Sequence, residues 1–290
     1  MRTASAGSSL LACLGALAGC GDRADAPFDF TRLDVPGSAT TIASGINASG
    51  HIVGWYRDSA ADRVRGFLLR DGAYTSVDYP DAVLTQLHGI GPDGDIVGSY
   101  RKAGEAKMDF HGFRLTPAGA FLDVGVAGHA NSIAQRILPD GTILGCFHDG
   151  DWTTTMRGVT FAQEGPAILD LPATMSNGGT PDGRTVVGLV MDVRRAFIVE
   201  GGILSLFDAP GSVRTEAWDV DPSGTVVGLF EDSTSATHGY LRQGGSFTRI
   251  DYPGAASTMV FGINAAGDLV GAAKDSAGKQ HGFVARRPRS

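Results

Sequence analysis

Apolar and polar positions alternate along this chain in short runs, and the runs return several times in the same order. Between Thr85 and Ile90 the apolar Leu87 sits between Gln86 and His88, the two-residue period of a half-buried strand. Pro92-Asp93-Gly94 then supplies a turn in which proline presets one dihedral, aspartate caps the bend and glycine takes the positive φ that closes it. A second strand is predicted over 95–100, a third opens at His111-Gly112-Phe113, and a fourth runs over 120–124. The equivalent turn glycines, Gly50, Gly94, Gly141, Gly183, Gly224 and Gly267, lie 41 to 47 residues apart. A period in the low forties with four strands per copy predicts an all-β chain, a six-bladed β-propeller of four-stranded blades.

The ends of the repeat region fit a closed ring. Residues 29–35 read as a fourth strand without its first three, and 281–285 as a third strand without a fourth. Pairing them makes the N-terminal strand close the last blade and removes the exposed edges that would otherwise recruit other chains.

The runs Gly45-Ile46-Asn47-Ala48-Ser49-Gly50-His51-Ile52-Val53-Gly54, His281-Gly282-Phe283 and Asp251-Tyr252-Pro253-Gly254-Ala255 resemble the HAF-type extracellular repeat, and the likeness covers essentially everything after residue 28. The resemblance implies an exported repeat domain and brings no catalytic residues with it. Two copies drift from it: Arg136 and Leu138 stand where the motif has Gly and Asn, and Ala196 replaces the Gly of His-Gly-Phe.

Comparing the copies separates scaffold from candidate site, because a ring repeats its packing residues whereas one ligand needs an uneven set. Thr41, Thr85, Ser132, Thr174, Thr215 and Thr258 recur at the start of the first strand, and Asp34, Asp78, Asp123, Asp170, Asp208 and Asp251 at the end of the fourth. Both sets are expected to tie down backbone amides by local hydrogen bonds. His111, His238 and His281, which open third strands, read as structural rather than metal-ligating.

Two other positions vary. Just before the Gly-Ile-Asn turn the copies carry Ser44, His88, Gln135, Asn177, Trp218 and Phe261, and two residues earlier Ile42, Gln86, Ile133, Met175, Glu216 and Met259. Strand alternation places both sets on the side facing the axis. Gln86, His88, Gln135, Asn177, Glu216 and Trp218 are therefore the candidate ligand residues, with Gln86 and His88 across the ring from Glu216 and Trp218. Amides, a carboxylate and one stacking surface suit a polar small molecule or glycan.

At 290 residues and 42% hydrophobic content the chain can bury a sizeable core. A net charge of −7 leaves no basic face for phosphates, which excludes nucleic acid as the expected partner. Arg2, an apolar stretch over 10–18 and Leu17-Ala18-Gly19-Cys20 resemble a bacterial lipoprotein signal, so 1–19 is read as a signal peptide and 20–27 as a tether from a lipidated Cys20. An ordinary cleaved signal is the other reading. Gly21 after the cysteine favours the outer membrane, with the lipid as the only membrane attachment, 28–290 as the propeller, and a monomer. Cys146 is left without a disulfide partner and reads as a buried small hydrophobe.

No nucleophile elbow, zinc-binding histidine pair, phosphate loop or paired-cysteine motif is present, and no cofactor or metal is implied. Recognition of a polar ligand or an envelope protein is the leading expectation. A hydrolase or lyase using Glu216 and His88 as acid and base, and an outer-membrane assembly scaffold, are the alternatives.

Overall fold

The computed structural model describes residues 28–288; the signal, tether and Cys20 expected over 1–27 lie outside the described residues. Chain order runs β1 (Asp29–Leu33), β2 (Ser38–Ile46), β3 (Ile52–Asp58), β4 (Arg63–Arg70) and β5 (Ala73–Val77). Then come β6 (Ala82–Ile90), β7 (Ile96–Lys102), β8 (His111–Leu115) and β9 (Phe121–Val124). β10 (Asn131–Ile137) and β11 (Ile143–His148) precede a single helical turn, α1 (Trp152–Thr155), followed by β12 (Arg157–Ala162) and β13 (Gly165–Pro172). The rest are β14 (Thr174–Gly179), β15 (Thr185–Val190), β16 (Arg195–Glu200) and β17 (Ile203–Phe207), then β18 (Ser212–Val220), β19 (Val226–Asp232), β20 (Thr237–Gln243) and β21 (Ser246–Ile250). β22 (Ser257–Ile263), β23 (Leu269–Lys274) and β24 (Gln280–Arg286) complete the chain order.

β10–β13, β14–β17 and β18–β21 are antiparallel meanders, and β22–β24 take β1 as a fourth strand. β2–β5 and β6–β9 join in one eight-stranded sheet through a parallel bridge between Val64 and Leu84. The strands β2, β6, β10, β14, β18 and β22 touch in that order and β22 touches β2, so the sheets stand around a common axis.

Closure rests on pairing, packing and polar contacts together. β1 runs antiparallel to β24 from Asp29 opposite Arg286 to Leu33 opposite Gly282. Leu33, Val270 and Val284 pack in one buried cluster with Ala43, Ile52 and Phe67 from the start of the chain. His281 is held between Asp34 (2.8 Å) and Asp275 (3.2 Å), and Asn264 Nδ2 donates to the Asn47 carbonyl across the seam at 3.3 Å.

Within each meander one repeated pairing sets the core. A glycine on the second strand lies under an aromatic ring of the third, as Gly54 does under Phe67 and Gly188 under Phe197, except in β10–β13, where Val159 stands opposite Gly145. A Cβ at Gly188 would sit 1.9 Å from the Met175 carbonyl oxygen and 2.6 Å from the Phe197 ring, which excludes any side chain there. Phe67, Phe113, Phe197, Tyr240 and Phe283 are all fully buried at this level, each worth about 2–3 kcal/mol of transfer free energy. The turn expectation holds as well: Gly94 has φ 91°.

The repeated hydroxyls behave as expected. Thr41, Thr85, Thr215 and Thr258 accept from the amides of Val35, Tyr79, Ala209 and Tyr252, while Ser132 and Thr174 accept from Gly112 and Gly158. The aspartates do not tie backbone amides in this way. Asp78 takes Arg65, Asp208 takes Arg195, Asp251 takes His238 and Asp34 takes His281, while Asp123 accepts from the Tyr79 hydroxyl. The cationic or imidazole group that opens the third strand reaches the aspartate before any amide does. His238 and His281 thus have the structural role expected of them.

Candidate functional site

A β-bulge places the candidate side chains. In β2, β6, β10, β14, β18 and β22 the register slips by one residue, at Ala43/Gly45, Leu87/Gly89, Ala134/Arg136, Ser176/Gly178, Ala217/Asp219 and Val260/Gly262. The residue left unpaired is Ser44, His88, Gln135, Asn177, Trp218 or Phe261, the varied set read from the sequence. A bulge frees one residue from the ladder and re-aims its side chain.

The position after the bulge is where neighbouring sheets come close together. A Cβ at Gly89 would lie 2.8 Å from the Gln135 carbonyl oxygen of the next sheet, and one at Gly178 would lie 2.6 Å from Asp219 Cα. Glycine lets neighbouring backbones approach there. The two copies without it carry Arg136 and Asp219, which reach each other: Arg136 Nη2 lies 3.2 Å from Asp219 Oδ2, with side chains 10% and 7% exposed. Arg136 also donates to the carbonyls of His88 (3.3 Å) and Phe261 (3.0 Å), and Asp219 accepts from the amides of Ile263 and Val220. Burial raises the Asp219 pKa, and the neighbouring guanidinium opposes that rise.

Next to this ion pair is a cavity of about 370 Å³. Gln86, His88, Gln135, Glu216 and Trp218 line it, so five of the six candidates come together from three sheets. Asn177 does not. Its Nδ2 donates to the Ala217 carbonyl at 2.8 Å and the residue is 1% exposed, so it fastens β14 to β18 instead of facing a ligand. Gln135 turns part of its amide toward the seam between β10 and β14, with Nε2 3.0 Å from Met175 Sδ.

The sequence reading missed Trp55, Arg136, Arg214, Leu229 and Gln280, all on the cavity wall. Trp55 and Leu229 project from second strands, outside the varied positions of the innermost strand. Arg136 is a break in the motif, and that break is its signal in the sequence. Cys146 is fully buried with its thiol pushed up to about 12 by burial, as expected of a small core residue.

Glu216 is held on both oxygens. Arg214 Nε donates to Oε1 at 2.7 Å and the Trp218 indole N–H donates to Oε2 at 3.0 Å. The Trp218 ring meets Phe261 edge-on, with centroids 4.9 Å apart. Opposite, His88 Nε2 is 3.0 Å from Ser99 Oγ, and its pKa is lowered to about 3, chiefly by burial and then by the Arg136 charge. The imidazole is therefore neutral near neutral pH. Among the described residues no group of three or more His, Cys, Asp and Glu is placed to hold a metal ion.

No family model and no curated protein matches this sequence. Solved structures do share the fold. Regucalcin, a calcium-binding protein from Agrobacterium tumefaciens, aligns with TM-score 0.57 at 14% identity over 91% of this chain and 96% of its own. A gluconolactonase from Xanthomonas campestris aligns with TM-score 0.55 at 15% identity, again over 91% and 96%. Aleuria aurantia lectin in complex with Fucα1-6GlcNAc aligns with TM-score 0.51 at 9% identity over 85% and 94%. The chain is an all-β protein with a β-propeller fold.

Proposed function

We propose that the sheets form six blades of four strands and that this propeller is a recognition module for a polar ligand, sugar-like in size and chemistry, bound in the axial cavity. Export, a lipid anchor at Cys20, an outer-membrane location and membership of the HAF-type repeat family belong to the same proposal. Binders and enzymes share this fold, so the choice between them rests on the site. One observation carries the reading: the cavity combines an aromatic wall, Trp218 against Phe261, with carboxamides and a carboxylate fixed by its neighbours. That pairing of a flat apolar face with oriented polar groups is what a hydroxyl-rich ring needs.

Convergence of His88 and Glu216 on one cavity favours a hydrolase or lyase as the second reading. Both Glu216 oxygens are already engaged and His88 is a weak base, so recognition ranks above catalysis. The test is a glycan array and calorimetric titration with the full chain, repeated with Glu216→Ala and Trp218→Ala. Each variant is expected to weaken binding about tenfold, the worth of one oriented stacking or hydrogen-bond contact. Unchanged capture by both would remove the cavity as the site, and turnover of a bound glycan would favour the second reading.

A further inference from the structure

Hydrogen-bond accounting at the cavity narrows the ligand, on the reading that the cavity is a ligand site. The carboxylates there are engaged. Glu216 Oε1 takes Arg214 and Oε2 takes the Trp218 indole, while Asp219 Oδ1 takes the Val220 amide and Oδ2 the Ile263 amide and Arg136.

The guanidinium groups are not used up. Arg136 uses Nη1 and Nη2 on backbone carbonyls and Asp219, but its Nε is buried with no partner. Arg214 gives Nε and Nη2 to Glu216, while Nη1 has only a 3.9 Å ionic contact with Glu231. Gln86 and Gln280 add carboxamides that make no side-chain hydrogen bond among the described residues, whereas His88 is directed to Ser99. The wall thus holds one guanidinium with a weakly engaged donor, Arg214 Nη1, beside a second, Arg136, whose enclosed Nε has no partner, and the carboxylate oxygens there are all engaged. Buried polar groups are normally satisfied, and a guanidinium is best matched by a carboxylate. Comparison among the repeats shows that Arg136 and Asp219 occupy a position held by glycine in the four other copies, so this buried pair is particular to this cavity.

We propose that the cavity takes a sugar bearing a carboxylate, its ring face against Trp218 and its acidic group toward Arg136 and Arg214. The aromatic wall supplies area for the ring, and the weakly engaged guanidinium N–H at its edge sets the preference for an acidic over a neutral sugar.

The test is calorimetric titration of the full chain with D-glucuronate and with D-glucose. Glucuronate is expected to bind about tenfold tighter, the worth of one charge-assisted hydrogen bond over a neutral one. The double variant Arg136→Gly with Asp219→Gly restores the residue found in the other copies and removes the buried charges together, and it should narrow the preference. Arg214→Gln, a second variant outside the buried pair, should lower the glucuronate affinity more than that for glucose and so narrow the preference. Equal affinity for the two sugars, or a preference undiminished in both variants, overturns this inference and leaves the sugar-binding reading standing. Binding of neither sugar overturns both.

Discussion

Packing at the bulge of β6 leaves His88 little of the water that would solvate an imidazolium, and Arg136 beside it opposes the charge again. The folded pKa of about 3 lies below the ordinary value of 6.5, so the unfolded chain binds the proton first as pH falls. The stability this neutral ring contributes is complete above pH 6.5 and is lost progressively as pH drops toward 3. His88→Gln should therefore lose less stability than the parent between about pH 7 and pH 4, by roughly 2 kcal/mol, in urea titrations at each pH. Parallel losses in both proteins would contradict a neutral His88. Asn177 makes the complementary point at this scale. It has the composition of a site residue and the geometry of a fastener, because the nearest acceptor for its amide is the Ala217 carbonyl of the neighbouring strand.

At the scale of one strand, period-two alternation was readable in the residues as far as the bulge. It placed Gln86 with His88 and Glu216 with Trp218 on the axial side, and both pairs line the cavity. Beyond the bulge the count shifts by one, so strict alternation assigns Arg136 to the packing side although it lines the cavity. The slip leaves little local trace, since glycine holds the place after it in four copies out of six. Second-strand residues such as Trp55 were hidden for another reason, that contact with the axis depends on how the sheets tilt together. The glycine beneath each third-strand aromatic gives the prediction at this scale. Gly188→Ala forces a Cβ against both the Met175 carbonyl and the Phe197 ring, and is expected to cost at least 1–3 kcal/mol as overpacking, measured by chemical denaturation. A variant as stable as the parent would show that β15 can move away from β14 and β16.

For the molecule as a whole, the last sheet depends on the first strand for its outer edge. Phe30 of β1 packs edge-on against Tyr252 and Phe283, with centroids 5.3 and 5.5 Å away. Phe30→Ala is expected to remove about 3 kcal/mol and to leave β24 as an open edge prone to intermolecular pairing. Lower thermal stability and concentration-dependent species in size-exclusion chromatography would report it; a monomer melting with the parent would mean that closure does not rely on this ring. The contact between Arg136 and Asp219 has a consequence of another kind. Repeat arrays diversify by exchanging units, and most units here are alike at the position after the bulge. A swap that replaced the third unit by a copy of the second would strand a carboxylate in the interior, and replacing the fifth would strand a guanidinium. That crossbar turns an array of interchangeable parts into one with a fixed order, so these two units are constrained to change together or not at all.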